Sequence, residues 1–263
     1  MRDLMQEFIA QLIRLYLPAG ALVPAMLEQH LPGATRSPLS LETDDGRTRA
    51  LVIAFDKQAG TQPGVEEARH WRLLCLVANA LQTQLDLPAP AVSISGSHGY
   101  RLWLSFEVPL PCAAVAQFLA LLRTAYFPDQ AQPANATVHF PPAQHPATGL
   151  CAAFINPGLG ASFADECGLE MPPPIAGQLA LLEGLNSISE EQLAHAINVL
   201  EQAHAMPLPA GAPTPVHSTG SQDLLLKDAT LEDIVRHLHA LHIEPTFRHL
   251  IQSSGSDKHF VGR

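Results

Sequence analysis

The chain has 263 residues, 47% of them apolar and 15% charged, with 23 prolines and a formal net charge of −10. That length holds one large domain or a medium one with appendages, and the apolar share supplies a sizeable core. The acidic balance argues against a protein that gathers nucleic acid through its whole-molecule field, and no apolar run reaches the ~18 residues of a membrane span.

MRDLMQEFIAQLIRLYL places Met5, Phe8, Ile9, Leu12, Ile13 and Tyr16 at helical spacing and predicts an amphipathic helix that stops before Pro18. Acids among its apolar residues set it apart from a signal peptide. A second, proline-interrupted helix is expected over Ala21 to His30, followed by a turn-rich stretch to Arg49. RALVIAFDK then reads as a strand, and GVEEARHWRLLCLVANALQTQLDL as a long helix with Val65, Ala68, Trp71, Leu74, Leu81 and Leu85 on its apolar stripe. AVSISG and YRLWLSFEV read as two strands joined by the turn Gly96-Ser97-His98-Gly99, with the helix CAAVAQFLALLRTAYF after Pro111. The order strand, helix, hairpin, helix predicts an α+β fold, an antiparallel or mixed sheet with helices on one face.

From Pro128 to Pro174 the chain turns irregular, with a weak strand ATVHFP and an apolar island GLCAAFINPGLG. PPIAGQLALLEGL and SEEQLAHAINVLEQAHA predict two helices, the second starting at Ser189 with Glu191 and Gln192 in its first turn. Residues 206–222, rich in Pro, Ala, Gly and Ser, read as a linker. The expected organisation is a helical segment over 1–45, a main domain over 46–205, this linker, and a C-terminal helical segment over 223–263. In that last segment TLEDIVRHLHALHI and TFRHLIQSS, broken at Glu244-Pro245, suit either a helix-turn-helix or a simple helical hairpin. Arg236, Arg248, Lys258 and Arg263 would carry any contact to DNA in the first case.

The four cysteines, Cys75, Cys112, Cys151 and Cys167, show no CxxC spacing and suit reduced thiols in a cytoplasmic protein. His139, His145, Cys151 and Cys167 share one irregular region, but their spacing matches no zinc knuckle or ribbon, and no metal site is predicted there. His237, His239 and His242 read as a polar helix face. No GxSxG, P-loop or dinucleotide-binding fingerprint is present.

Three pieces in order carry a further signal: LVIAFDKQ, then SISGSHGYRLWLSF, then VHFPPAQHPATGLCAAFINPGLG. Over roughly Leu51 to Glu201 the chain resembles the archaeo-eukaryotic primase-polymerase superfamily, in particular primase-like domains of bacterial mobile-element and defence systems, whose fold is RRM-related. In that family the first strand ends in Asp-x-Asp, the hairpin reads like Ser-Gly-x-Gly-Tyr-His-Leu-Trp, and a third acid precedes a Phe-Pro-x-x-Gln segment. The resemblance puts Asp56 at the second acid and Ala54 at the first, or, one register over, Asp56 at the first and Gln58 at the second. Val138 or His139 falls where the third acid is expected, and Arg101 where a histidine contacts the nucleotide phosphates.

Nucleotidyl transfer needs two divalent cations held by clustered carboxylates, and one motif acid cannot hold them. The resemblance therefore implies a non-catalytic primase-like subunit with no cofactor, binding nucleotide or single-stranded DNA or RNA through Ser95, Ser97, His98 and Arg101. A protein partner such as a helicase or nuclease is implied by the same systems, and no membrane. An active enzyme using Mg²⁺ or Mn²⁺, its ligands completed by Glu107, Asp129 or Asp165, is one alternative; an adaptor without a nucleic-acid role is another. Each residue also has a plainer reading. Asp56 is then a strand-end carboxylate and Arg101 a solvent-facing strand residue. Ser95 and Ser97 hold the turn, His98 is solvated, and Trp103 and Phe106 belong to the core.

Overall fold

The computed structural model describes residues 2–18, 27, 38–57, 69–128 and 137–205, all within one compact unit spanning residues 1–208. Apart from Leu27, the expected helix over Ala21 to His30 lies outside the described residues, as do the linker and the whole C-terminal segment with its histidines and basic residues.

The described elements are helix α1 (Arg2–Tyr16), strands β1 (Leu39–Ser40) and β2 (Arg47–Asp56), and helix α2 (Arg69–Thr83). Strands β3 (Ala91–Ile94) and β4 (Gly99–Pro111) follow, with helix α3 (Cys112–Tyr126) starting directly at the end of β4. After them come β5 (Thr137–Val138), β6 (Ala153–Ile155), a 3₁₀ helix (Pro157–Phe163), α4 (Ile175–Glu183) and α5 (Glu190–Ala205). Strands β2, β4, β3 and β6 form, in that order, a four-stranded antiparallel sheet, while β1 and β5 pair separately. The fold is α+β.

Helices cover both faces of the sheet, which corrects the expectation of helices on one face. On one side Leu51, Ile53, Phe55, Leu102, Leu104 and Phe106 pack against α2, α3 and α5 through Trp71, Val77, Phe118, Leu122, Leu193 and Leu200. On the other, Val52, Trp103 and Phe154 pack against Phe8, Leu12, Leu15 and Tyr16 of α1 and Leu179 and Leu182 of α4. A strand buried on both faces reads as an unbroken apolar run rather than an alternating one, and Leu51, Val52 and Ile53 are all buried. At ~1.5–3 kcal/mol per buried side chain, the four α1 residues contribute on the order of 6–12 kcal/mol before the entropy of ordering the helix is counted.

Two polar details fix the second layer. Gln178 of α4 is buried and bonds both main-chain groups of Phe154: its Oε1 accepts from Phe154 N (2.7 Å) and its Nε2 donates to Phe154 O (3.0 Å). The outer edge of β6, otherwise open to further pairing, is thereby closed by a side chain. At the start of α5, Ser189 N donates to Gln192 Oε1 (3.0 Å) and Gln192 N to Ser189 Oγ (3.2 Å), the reciprocal cap expected from SEEQ.

Candidate functional site

The β3–β4 hairpin is shaped by two glycines. Gly96 has φ +72°, a conformation that a Cβ disfavours, and an added Cβ would lie 2.8 Å from Leu150 O. Gly99 faces the end of β2, where a Cβ would overlap the Phe55 carbonyl oxygen and sit 2.6 Å from the Asp56 Cα. Between them Ser95 organises the turn. Its N–H donates to Gly99 O (2.9 Å), and its Oγ accepts from Ser97 N (3.2 Å) and Gly99 N (3.3 Å) and lies 3.0 Å from Ser97 Oγ. Gly96 N donates to Cys167 O (2.8 Å) and Thr148 Oγ1 to Gly96 O, so the loop after β5 is tied to the tip of the hairpin.

Sheet register then sets the row of motif residues. Ala54 stands opposite Arg101, Arg101 opposite Ser93, and Asp56 opposite Gly99. Residues two apart on a strand share a face, so Arg101 points to the same side as Trp103, the α1–α4 side of the sheet. Arg101 Nη1 donates to Asp56 Oδ1 (2.6 Å) and to the Tyr100 carbonyl (2.8 Å). A guanidinium carries five N–H groups, so Nε and Nη2 remain as a fork. The two side chains are 24% and 46% exposed, and an ion pair this accessible adds about 0–1 kcal/mol.

Beside this pair lies a cavity of about 170 Å³. Its polar lining comes from Arg101, Ser93, Ser95, Ser97, His139 and His145, and among the described residues no carboxylate lines it. Ser93 is occupied, accepting from the buried Trp103 Nε1 (2.8 Å). The His145 imidazole is held below its ordinary pKa by burial, then by the positive charges of His98 and Arg101. Burial, then His145, lowers His139. Ala147 N donates to His145 Nδ1 (3.3 Å), which leaves Nε2 to carry the proton in the neutral ring. Among the described residues the recess is lined by one arginine, itself paired with Asp56 beside the cavity, two titratable imidazoles and two hydroxyls in contact with each other. Such a lining offers the kind of hydrogen-bond donors that an anion needs.

Of the residues singled out in the sequence, Ser95, Ser97 and Arg101 line the recess together. His98 is exposed at the turn and acts on His145 through its charge without lining the cavity. Trp103 and Phe106 are core residues. The contribution of His139 and His145 was not assigned from sequence, where His139 entered only as a replacement for an acid and both as zinc candidates. Their signal was positional, since each flanks the Phe-Pro-Pro-Ala-Gln segment that folds back onto the hairpin.

A pair of divalent cations does not fit the motif positions. Asp56 is the one carboxylate among them, and it is engaged by Arg101; Ala54 offers no oxygen ligand, and His139 a nitrogen poorly suited to Mg²⁺. The acids considered as replacements are dispersed. Glu107 lies six residues further along β4 from Arg101, about 20 Å at the rise of an extended strand. Asp165 lies nearer Asp56, since Lys57 Nζ donates to its main-chain oxygen (2.5 Å) and both carboxylates act on His70, but no third ligand joins them among the described residues; Asp129 and Gln58 are outside those residues. Among the described residues no three His, Cys, Asp or Glu gather to hold a metal ion.

Cys151 and Cys167 do not join the two histidines. The Cys167 Sγ lies 3.8 Å from His70 Nε2 and donates to Phe163 O (3.1 Å), and burial pushes its thiol up to about 11. A thiol that reluctant to ionise is not an activated nucleophile. All four cysteines are free, and among the described residues no helix is long and apolar enough to cross a membrane.

Comparison with known proteins gives no match to any family model and none to a curated protein. Among solved structures the chain is similar to the AEP domain of the primase-polymerase of cyanophage S-2L. Identity is 15% and the TM-score 0.33, over 69% of this chain and 98% of that one.

Proposed function

We propose that the protein is a primase-like module that binds the phosphate of a nucleotide or of a single nucleic-acid strand at the Arg101 recess and does not itself join nucleotides. The observation that carries this reading is the convergence of Arg101, Ser95, Ser97, His139 and His145 on one cavity that no carboxylate lines among the described residues. Phosphate oxygens match the free fork of Arg101 and the one hydroxyl proton that the Ser95–Ser97 contact leaves over. The lowered imidazoles are ready to take up protons when a dianion enters. The chemistry missing from the recess is that of a two-cation centre, so strand synthesis is assigned elsewhere. In a mobile-element or defence system such a module would hold a strand or nucleotide for a partner, a helicase or nuclease, that supplies the catalysis.

Primer synthesis and extension in the presence of Mn²⁺ test the non-catalytic half of this reading. The expected product is none above background. Robust synthesis abolished by Asp56→Ala would overturn it.

A further inference from the structure

A second cleft lies at the opposite end of the sheet. It has a volume of about 530 Å³ and is lined by Arg14, Arg49, Pro88, Glu107, Asn186, Ser187 and Gln192. The residues arrive from α1, β2, β4 and the α4–α5 connection, so the cleft is made by the tertiary fold and no single element forms it.

Both arginines are held in place by main-chain carbonyls. Arg14 donates from Nη1 to Leu185 O (3.1 Å) and from Nη2 to Leu182 O (3.2 Å), and its Nε is taken by Gln11 Oε1 (2.6 Å). Arg49 donates from Nε to Phe106 O (3.2 Å) and from Nη2 to Glu107 O (2.8 Å). With five N–H groups per guanidinium, Arg14 keeps two and Arg49 keeps three. Neither has a carboxylate within ion-pair distance among the described residues, although the chain carries 25 acids against 15 lysines and arginines. Carbonyl anchoring orients each fork while leaving its charge uncancelled. A ligand meeting them therefore loses little to side-chain ordering.

Apart from Pro88 and Glu107, the rest of the lining is amide and hydroxyl. Asn186 and Gln192 offer donors and acceptors, Ser187 shares a hydroxyl contact with Ser105 Oγ (2.9 Å), and Glu107 is the lone acid. Gln192 sits in the first turn of α5, next to Glu190 and Glu191, so the positive character of the cleft comes from the two arginines. The volume falls within the ~300–1,000 Å³ of small-molecule sites.

We infer that this cleft is a second ligand site, separate from the Arg101 recess, that binds a nucleotide-sized phosphomonoester: the phosphate on Arg14 and Arg49, the polar body against Asn186, Ser187, Glu107 and Gln192. The assignment does not depend on the function proposed for Arg101.

The test is calorimetric titration of adenosine monophosphate into the full chain carrying Arg101→Ala, which removes the first recess from the measurement. Saturable binding is expected, with none for adenosine. Gln192→Glu keeps the reciprocal cap, because glutamate serves that position as well as glutamine, yet places a negative charge in the cleft. It should weaken the monophosphate by at least about fivefold, the bulk-water limit for one added charge about 4 Å away, and by more where the cleft screens less. Asn186→Asp makes the same test should the first variant not fold. No saturable binding, equal binding of adenosine, or an affinity unchanged by the added charge would each overturn the assignment.

Discussion

Gly99→Ala is the sharpest probe of how the hairpin builds the recess. The residue pairs with Asp56 at the end of β2, and its new methyl would overlap the Phe55 carbonyl oxygen and sit 2.6 Å from the Asp56 Cα. Both obstacles are backbone, so no side chain can swing aside. Restoring contact distance means parting β2 from β4 by about 1 Å at this rung, an overpacking cost of roughly 1–3 kcal/mol plus about 1 kcal/mol for a weakened ladder bond. At ~2–4 °C per kcal/mol for a domain of this size, the melting midpoint should fall by roughly 5–15 °C. The same shift moves Arg101 and Asp56, two and zero residues from the rung, so ligand affinity should drop as well. Gly177→Ala is the control. That glycine lies in α4 with open space where its Cβ would go, and alanine should stabilise the helix by about 0.5–1 kcal/mol. Differential scanning calorimetry reads both. A Gly99→Ala midpoint within 1 °C of the parent, or one no lower than Gly177→Ala, would refute the reasoning.

Gln178→Leu preserves volume but strips Phe154 of both main-chain partners, and denaturant unfolding should show a loss of about 2–4 kcal/mol. Stability should also depend on pH in a stated direction. His70, His139 and His145 all have pKa values lowered from the ordinary 6.5, with burial the largest cause for each. Between the folded and unfolded values the unfolded chain binds more protons, so stability is full above about 6.5 and declines as the pH falls through that window. Chemical denaturation at pH 7.5 and 5.5 measures it, and equal midpoints would contradict the burial of these rings. Ligand affinity should move the opposite way, strengthening toward pH 6 as a bound anion draws protons onto His139 and His145.

Much of this layout is legible in the sequence. Helical spacing in the first segment, the glycine turn between two apolar runs, and Ser189 followed by Gln192 are local signals with local causes, and each became the element its chemistry favours. The two-sided burial of the sheet was less visible, because a short apolar run such as ALVIAF does not say how many layers cover it. The recess was half legible. Arg101, Ser95 and Ser97 lie within seven residues of one another, whereas His139 and His145 reach them only because Thr148 and Leu150 fold against Gly96. The second cleft had no sequence signature. Its arginines are 35 residues apart and are brought together by the packing of α1 and β2.

The central claim of the proposed function is that Arg101 and its neighbours accept a phosphate. In the recess a guanidinium fork, two hydroxyls and two imidazoles face one small volume, and Asp56 bonds the arginine from beside it. The most direct measurement is fluorescence anisotropy of a labelled single-stranded oligonucleotide at low salt with the parent chain, Arg101→Lys and Arg101→Ala. Losing a charge-assisted contact should weaken binding by at least about tenfold in the alanine variant. Lysine should restore the charge but not the forked geometry, giving an intermediate affinity. Equal affinities for all three chains would contradict the account.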